Sequence, residues 1–257
     1  MNHSEVIDCV THIKVLEIGV ERSSHASHVL PNAPYVRVLS LPNQDYKNDE
    51  EIEKILADTN LLFIATDITD SVNQLNVERV VSAAKARRVL VVGVAVHCGP
   101  ESPERMLQTW SATVDTLLVS EPDKLYTHLR TAAPEIAAIV NEYGHVNVGF
   151  EDVRSILSMR GVVRLGTSTA AGRDRAQCAA LDAIQDLNLT QAKGLIVLLS
   201  GAKGSLRLSE SRQAMTTINS NLPESAHLIF GAAYDDSLGD QLRVTVLVSG
   251  LPYPCRA

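Results

Sequence analysis

Five short apolar runs punctuate the first half of the chain: Ile13 to Val20, Val36 to Leu41, Leu61 to Thr66, Val89 to Val96 and Thr116 to Ser120. Runs of this kind, separated by segments of helical period, are how a parallel sheet with crossover helices reads. Asp49 to Ala57 and Gln74 to Arg87 carry the helical spacing between them. In the second of these, Leu75, Val77, Val80, Val81 and Ala84 form one apolar face, and Lys85, Arg87 and Arg88 complement the dipole at its end. The expectation for residues 1–121 is a Rossmann-like, layered α/β arrangement.

Pro122 to Tyr143 reads as one connecting helix with Leu125, Leu129, Ile136 and Val140 on its apolar side and Gly144 as its stop. Pro134 lies inside it and predicts a kink or a division, because proline removes a backbone donor and clashes with the preceding turn. This places a connector at residues 122–145 between two subdomains. The remainder, residues 146–257, has a different rhythm. Phe150 to Met159 reads as a helix, Val162 to Thr167 as a strand, and Gly172 to Leu187 as an alanine-rich helix packing through Ala176, Ala179, Ala180 and Ile184. Gly194 to Ser200 is a continuous apolar strand. Ser209 to Ser220 reads as a helix capped by Ser209, with Arg212 where a capping box would place Glu. Leu228 to Ala233 and Leu242 to Ser249 are expected to pair across an acidic turn. Two helices on one face of about four strands make this part α+β.

Composition removes several function classes. Of 257 residues, 45% are hydrophobic, enough for a substantial core, so global disorder is disfavoured. The net charge of −7 comes from 23 basic against 30 acidic residues, with no basic stripe, which argues against nucleic acid or an anionic membrane as partner. Cys9, Cys98, Cys178 and Cys255 are scattered without a C-x-x-C pair, and the start of the chain has no signal-peptide pattern, so reduced thiols in a cytoplasm are expected. No apolar run approaches the roughly 20 residues of a membrane span, so direct membrane contact is not expected.

The segment VNVGFEDVRSILSMRGVVRLGTSTAAGRDRAQCAALDAI, followed by IFGAAYDDSLGDQLRVTVLVSG, resembles the C-terminal half of the tubulin-like division protein family FtsZ. That family shows N-x-D-x-x-D-V, then M-G-x-G-x-A-x-G-x-x-R-A, then I-F-G-x-x-x-D-x-x-L-x-D. The matching positions are Asn147, Asp152, Val153, Gly166, Ala170, Gly172, Arg175, Ala176, Ile229, Phe230, Gly231, Asp236, Leu238 and Asp240. Further forward, VDTLLVSEPDKLY is similar to the family's D-T-L-I-V-I-P-N-D-K-L, and Glu101 to Met106 to its G-x-x-R-M turn. The resemblance implies a tubulin/FtsZ-like fold: a GTPase-type domain, a central helix and an α+β C-terminal domain.

The front half departs from the family where its chemistry should be. There the phosphates lie in a G-G-G-T-G-S/T-G loop, in which glycine lets backbone N–H groups approach an anion. Here LLFIAT runs into Asp67, Ile68, Thr69, Asp70, Ser71, Val72 and Asn73, with no glycine. Branched residues resist left-handed geometry by roughly 1–2 kcal/mol each. A carboxylate about 6 Å from a phosphate repels it by about 3 kcal/mol at an effective dielectric near 20. The first glycine-rich loop is reduced to Gly19, with Arg22, Ser23 and Ser24 as the remnant that could meet a smaller anion. Of the family's two catalytic carboxylates, which position the attacking water on a neighbouring subunit, the first position is Gly149 here and the second is Asp152. Asp152 is equally an acid at a helix N-terminus, stabilised by the dipole. The shortened connector further implies loss of the family's guanine contact. No cofactor is therefore expected, GTP and GDP being disfavoured rather than excluded, and GTPase activity is not expected from this site.

Other candidates read as structure. Asp235, Asp236 and Asp240 could ligate a divalent cation, but Asp, Ser and Gly at a polar turn are the simpler account, and the resemblance adds a longitudinal contact surface as a third use. Gly201 to Ser205 lacks the G-x-x-x-x-G-K-S/T spacing and reads as a turn. His25 and His28 lack further ligands at metal spacing and read as surface residues, so no metal is expected. The expected function is that of an FtsZ-like division protein lacking GTPase activity. It would bind FtsZ or itself through a longitudinal surface that includes Asn147, Asp152, Arg154, Asp235, Asp236 and Asp240, and so tune filament assembly in the cytoplasm, at the division site. With seven residues after Gly250, no linker to membrane adaptors is expected. Two alternatives stand beside it: a slow GTPase that polymerises using Asp152 and the Arg22 to Ser24 loop, and a small-ligand sensor using the altered interdomain pocket.

Overall fold

The computed structural model describes residues 10–19, 35–41, 49–67, 70–96, 110–120, 125–141, 146–159 and 161–252. In chain order the strands are β1 Ile13–Ile18, β2 Val36–Leu41, β3 Leu61–Asp67, β4 Leu90–Val96, β5 Thr116–Ser120, β6 Val162–Ala170, β7 Gly194–Gly201, β8 His227–Tyr234 and β9 Leu242–Leu251. The helices are α1 Asp49–Leu56, α2 Ser71–Ala86, α3 Leu125–Asn141, α4 Phe150–Leu157, α5 Arg175–Ile184 and α6 Leu208–Asn219. All nine strands join one sheet in the order β2-β1-β3-β4-β5-β6-β9-β7-β8. β2 through β6 run parallel, and β9 lies antiparallel between β6 and β7.

Burial on both faces explains why β3 and β4 read as nearly unbroken apolar runs. Leu16, Ile18, Leu62, Ile64, Val91 and Leu117 pack against α1, α2 and Trp110. The opposite face, from Ile13, Val15, Leu61 and Phe63, packs against α3 and α4, in a cluster that continues into Ile196, Leu198 and Leu247 of the later strands. α3 touches β1 and β2 at one edge of the sheet and β8 at the other, so the twisted sheet curls around it. Its end is fixed by Asn141, whose amide oxygen accepts from Thr11 N at 2.7 Å and whose Nδ2 donates to Thr11 O at 2.9 Å. α5 and α6 cover the outer face of β6, β9 and β7 through Ala176, Ala179, Ala180, Ile184, Ala214 and Ile218.

Three expectations change, and the alternative left open at Pro134 narrows. β8 and β9 do not pair with each other; they flank β7 on either side, with Val197 opposite Phe230 on one and Val246 on the other. β7 is buried at every residue, so it lies between these two strands, and the acidic turn crosses its end, with Asp235 N donating to Gly201 O at 3.0 Å. α3 continues through Pro134 as one helix and is not divided. α2 begins at Ser71, and its buried residues are Asn73, Asn76, Val77, Val80, Val81 and Ala84. Leu75 falls outside that stripe and is 42% exposed. α6 is capped at Arg207, whose N–H donates to Glu210 Oε2 at 2.9 Å, so the capping acid is Glu210 and Ser209 lies inside the helix.

The motif glycine Gly166 shows why a side chain is excluded where α5 crosses β6. A Cβ there would lie 1.9 Å from the Ala183 carbonyl oxygen, a backbone atom that cannot rotate away. Gly166→Ala is expected to cost about 1–3 kcal/mol or more by forcing helix and strand apart, read as a lowered midpoint in chemical denaturation with an unchanged slope.

Candidate functional site

In a parallel sheet of this topology, ligands approach the crevice beyond the C-terminal ends of the strands where connections leave in opposite directions. That point lies between β1 and β3, with β2 on one side and β4 on the other. Thr66 Oγ1 donates to Ile18 O at 2.8 Å and ties the two strand ends together. Gly19 follows β1 with φ +65, a conformation that favours glycine. The space over it is taken by Asn73, 1% exposed; a Cβ on Gly19 would meet Asn73 Oδ1 at 2.1 Å.

Asp70, in an extended conformation, caps α2. Its Oδ1 accepts from Val72 N at 2.8 Å and from Asn73 N at 3.4 Å, and its main-chain oxygen accepts from Gln74 N at 3.1 Å. The amide donors and positive dipole end that a helix N-terminus offers an anion are therefore already engaged by a carboxylate of the chain itself. Asp70 stood out in the sequence only as an acid where glycine was expected. An Asp one residue before a helical period is also an N-cap signal, and that signal locates it. Arg22, Ser23, Ser24, His25 and His28 lie outside the described residues.

At the opposite end of the sheet, α4 opens at Gly149, whose N–H donates to Asp152 Oδ2 at 3.0 Å. Asp152 is exposed and serves as the capping acid of this helix. Beside it, Glu151 Oε1 accepts from Arg154 Nε at 3.3 Å, and the Arg154 guanidinium lies 4.9 Å from the Phe150 ring centre. Arg154 and Glu151 border a cavity of about 420 Å³ with Lys85, Arg88, Asp115 and Ser158. Asn147 is exposed next to Val146, which bridges Ala232 of β8.

The acidic turn is held from within. Asp235 caps a short 3-10 turn, Asp236–Leu238, by accepting from Ser237 N at 3.1 Å, and it pairs with Arg243 NH2 at 2.7 Å. Burial pushes the Asp235 carboxyl up, yet the Ser237 hydrogen bonds and the Arg243 charge outweigh it and hold the group below its usual range. Arg243 Nε lies 3.2 Å from Glu135 of α3, so the turn is coupled to the central helix. Asp236 Oδ1 accepts from Lys203 N at 2.8 Å. Asp240 uses its main-chain oxygen to accept from Arg175 at 2.6 Å, and its side chain is exposed. Of these three aspartates, Asp235 and Asp236 have structural roles through their carboxylates.

Arg175 carried no role in the sequence reading beyond its motif position. It is 7% exposed, and its guanidinium donates to both Glu210 oxygens, at 2.7 and 3.0 Å, to Ser205 Oγ and O, and to Asp240 O. One side chain thereby joins the start of α5, the Gly201 to Ser205 turn, the start of α6 and the acidic turn. The Arg175 hydrogen bond holds the Glu210 carboxyl below its ordinary value against the opposing effect of burial.

Comparison with known proteins agrees with this architecture. Residues 161–252 match the FtsZ family C-terminal domain. The cell division protein FtsZ of Neisseria meningitidis serogroup A is 28% identical over 232 residues, covering 79% of this chain and 59% of the relative. The mitochondrial division protein fszA of Dictyostelium discoideum is 28% identical over 232 residues, covering 79% and 44%. The chain thus spans less than two thirds of the length of these relatives. A mutant FtsZ of M. jannaschii superposes with a TM-score of 0.73 at 19% identity, over 94% of this chain and 91% of the other. The GDP-bound monomer of CetZ1 from Haloferax volcanii gives 0.68 at 15%, over 93% and 95%. The fold is that of the tubulin/FtsZ class. Within that class, the chain is similar to FtsZ, with the match to that family's C-terminal domain carried by residues 161–252. Among the described residues, no helix is long and apolar enough to cross a membrane.

Proposed function

We propose that the chain is a cell-division protein of the FtsZ type whose phosphate seat is closed by its own side chains. It acts by binding FtsZ, or a second copy of itself, along a longitudinal surface and so modulates filament assembly in the cytoplasm. The observation that carries this reading is the Asp70 carboxylate on Val72 N and Asn73 N. A triphosphate at the same helix end would have to displace a bonded carboxylate, or lie beside it and be repelled by about 3 kcal/mol at 6 Å. Asn73 over Gly19 supports the same conclusion from the other wall of the crevice. Asp152, engaged as a helix cap, supports a structural use of the one catalytic carboxylate that remains. The division role is supported by the relatives, which are division proteins. The contact surface is the group around α4, namely exposed Asn147 and Asp152 with half-buried Arg154, and the acidic turn is its neighbour through the Val146 to Ala232 bridge.

Equilibrium dialysis against labelled GTP is expected to show no binding tighter than about 10 μM, roughly −7 kcal/mol. Tighter binding would instead support the slow-GTPase alternative. Sedimentation of FtsZ filaments with an equimolar amount of this chain tests the partner: the pelleted fraction is expected to change, and an unchanged pellet, with no self-assembly of the chain alone, sinks the filament reading.

A further inference from the structure

A second polar cavity lies at the other end of β1 from Gly19, where nothing in the proposed division role requires one. It measures about 350 Å³ and is framed by His12, Lys14, Tyr35, Arg37 and Asp58, between the first residues of β1 and β2 and the end of α1. Lys14 is 7% exposed, and its Nζ donates to Ile55 O at 2.8 Å and Ala57 O at 2.5 Å, the carbonyls that close α1. An ammonium has three donors, so this pair leaves one.

Capping α1 accounts for Lys14 alone, and a single lysine would do it. It does not account for Arg37, which stands opposite Lys14 in the parallel register of β1 and β2. In-register residues on adjacent strands share a face, with strands about 4.8 Å apart, so two cations lie side by side at the wall of an open cavity. Burial, and then the Arg37 charge, depress the Lys14 pKa, and Asp58 opposes them. His12 adds a third basic side chain against that single acid. The backbone is also unusual here. Tyr35, with φ 67, and Asp58, with φ 52, are two of the three non-glycine residues with positive φ among the described residues, and such conformations gather at ligand sites.

We propose that this cavity binds a compact oxyanion, a phosphate or carboxylate group, held between the Lys14 ammonium and the Arg37 guanidinium. Arg37 supplies the planar, two-pronged donor set that such groups fit, and Lys14 supplies a fixed, partly desolvated charge. The anion removes the repulsion between the two cations, so binding and folding reinforce each other.

The test is thermal melting and calorimetric titration of the full chain with inorganic phosphate, with citrate and with a hexaglutamate peptide, ionic strength being held constant with sodium chloride. The melting temperature is expected to rise saturably with at least one probe. Arg37→Ala, a change at an exposed position, is expected to weaken that response about tenfold or more. Arg88→Ala, in the separate cavity beside α4, is expected to leave it intact. Saturation with phosphate or citrate identifies a free small anion as the source, and saturation with the peptide alone identifies an acidic protein side chain. Absence of a saturable response to all three probes, or an equal response from Arg37→Ala and the native chain, overturns the proposal.

Discussion

Arg175→Ala is expected to lower stability by about 3–5 kcal/mol, the cost of removing one partner from a buried ion pair. For a chain of this size, each kcal/mol moves the midpoint by about 2–4 °C, so the thermal transition should fall by about 6–20 °C. The size of the effect follows from what is left behind. Glu210, 13% exposed at its side chain, would keep a charge with its two strongest donors gone, and the Ser205 and Asp240 carbonyl oxygens would each lose a hydrogen bond. Arg175→Lys should recover only part of the loss, because a lysine offers three donors from one point where the guanidinium spreads five over a plane. The pH dependence has a fixed sign. Because the folded Glu210 carboxyl is held below its ordinary value, its contribution is complete above the ordinary carboxylate range and disappears as the pH falls through the folded value. Asp235, also held low, acts in the same direction. Denaturation midpoints measured from neutral pH down through the carboxylate range should therefore fall less steeply in Arg175→Ala than in the native chain, and equal slopes would show that the pair contributes nothing to acid sensitivity.

The parts legible in the sequence are those where local pattern and tertiary environment agree. β1, β3, β4 and β5 are buried on both faces, and the limits read for these strands fall within two residues of the observed ones; β2, at the sheet edge, keeps Arg37 and Ser40 exposed and is legible from Val36, Val38, Leu39 and Leu41 alone. Ala176, Ala179, Ala180 and Ile184 repeat at helical spacing and all face the sheet. What failed was non-local or depended on a cap. Leu228 to Ala233 and Leu242 to Ser249 are both strands, but their partner is the intervening β7, and no turn composition records a strand that enters between them. The first turn of α2 is polar, so apolar periodicity placed the start too late and assigned Leu75 to the core, where Asn73 and Asn76 lie instead. The candidate site was half legible for the same reason. The missing glycines are a fact of composition, whereas the engagement of Val72 N and Asn73 N by Asp70, and the packing of Asn73 over Gly19, depend on how α2 meets β1. Arg175 was visible as a motif position, but its five hydrogen bonds reach Ser205, Glu210 and Asp240, up to 65 residues away.

Asp70→Gly is expected to strengthen anion binding at the crevice between β1 and β3 by about two orders of magnitude, since about 3 kcal/mol of carboxylate–phosphate repulsion disappears. Two variants separate charge from occupancy. Asparagine caps a helix as well as aspartate does, so Asp70→Asn removes the negative charge while its amide oxygen can still accept from Val72 N and Asn73 N. Glycine at the cap costs only a few tenths of a kcal/mol relative to a capping side chain, so Asp70→Gly should fold normally and free both donors. Dialysis against GTP should therefore rank the affinities as Asp70→Gly above Asp70→Asn above the native chain. Absolute affinity should stay modest, because Asn73 still covers Gly19; combining Asp70→Gly with Asn73→Ala opens that wall as well. If Asp70→Gly gained nothing while the double variant bound, the closure would lie in Asn73 and its packing. If neither gained, the seat for a triphosphate would be absent for reasons of backbone shape, and the carboxylate on the first turn of α2 would be a helix cap and nothing more.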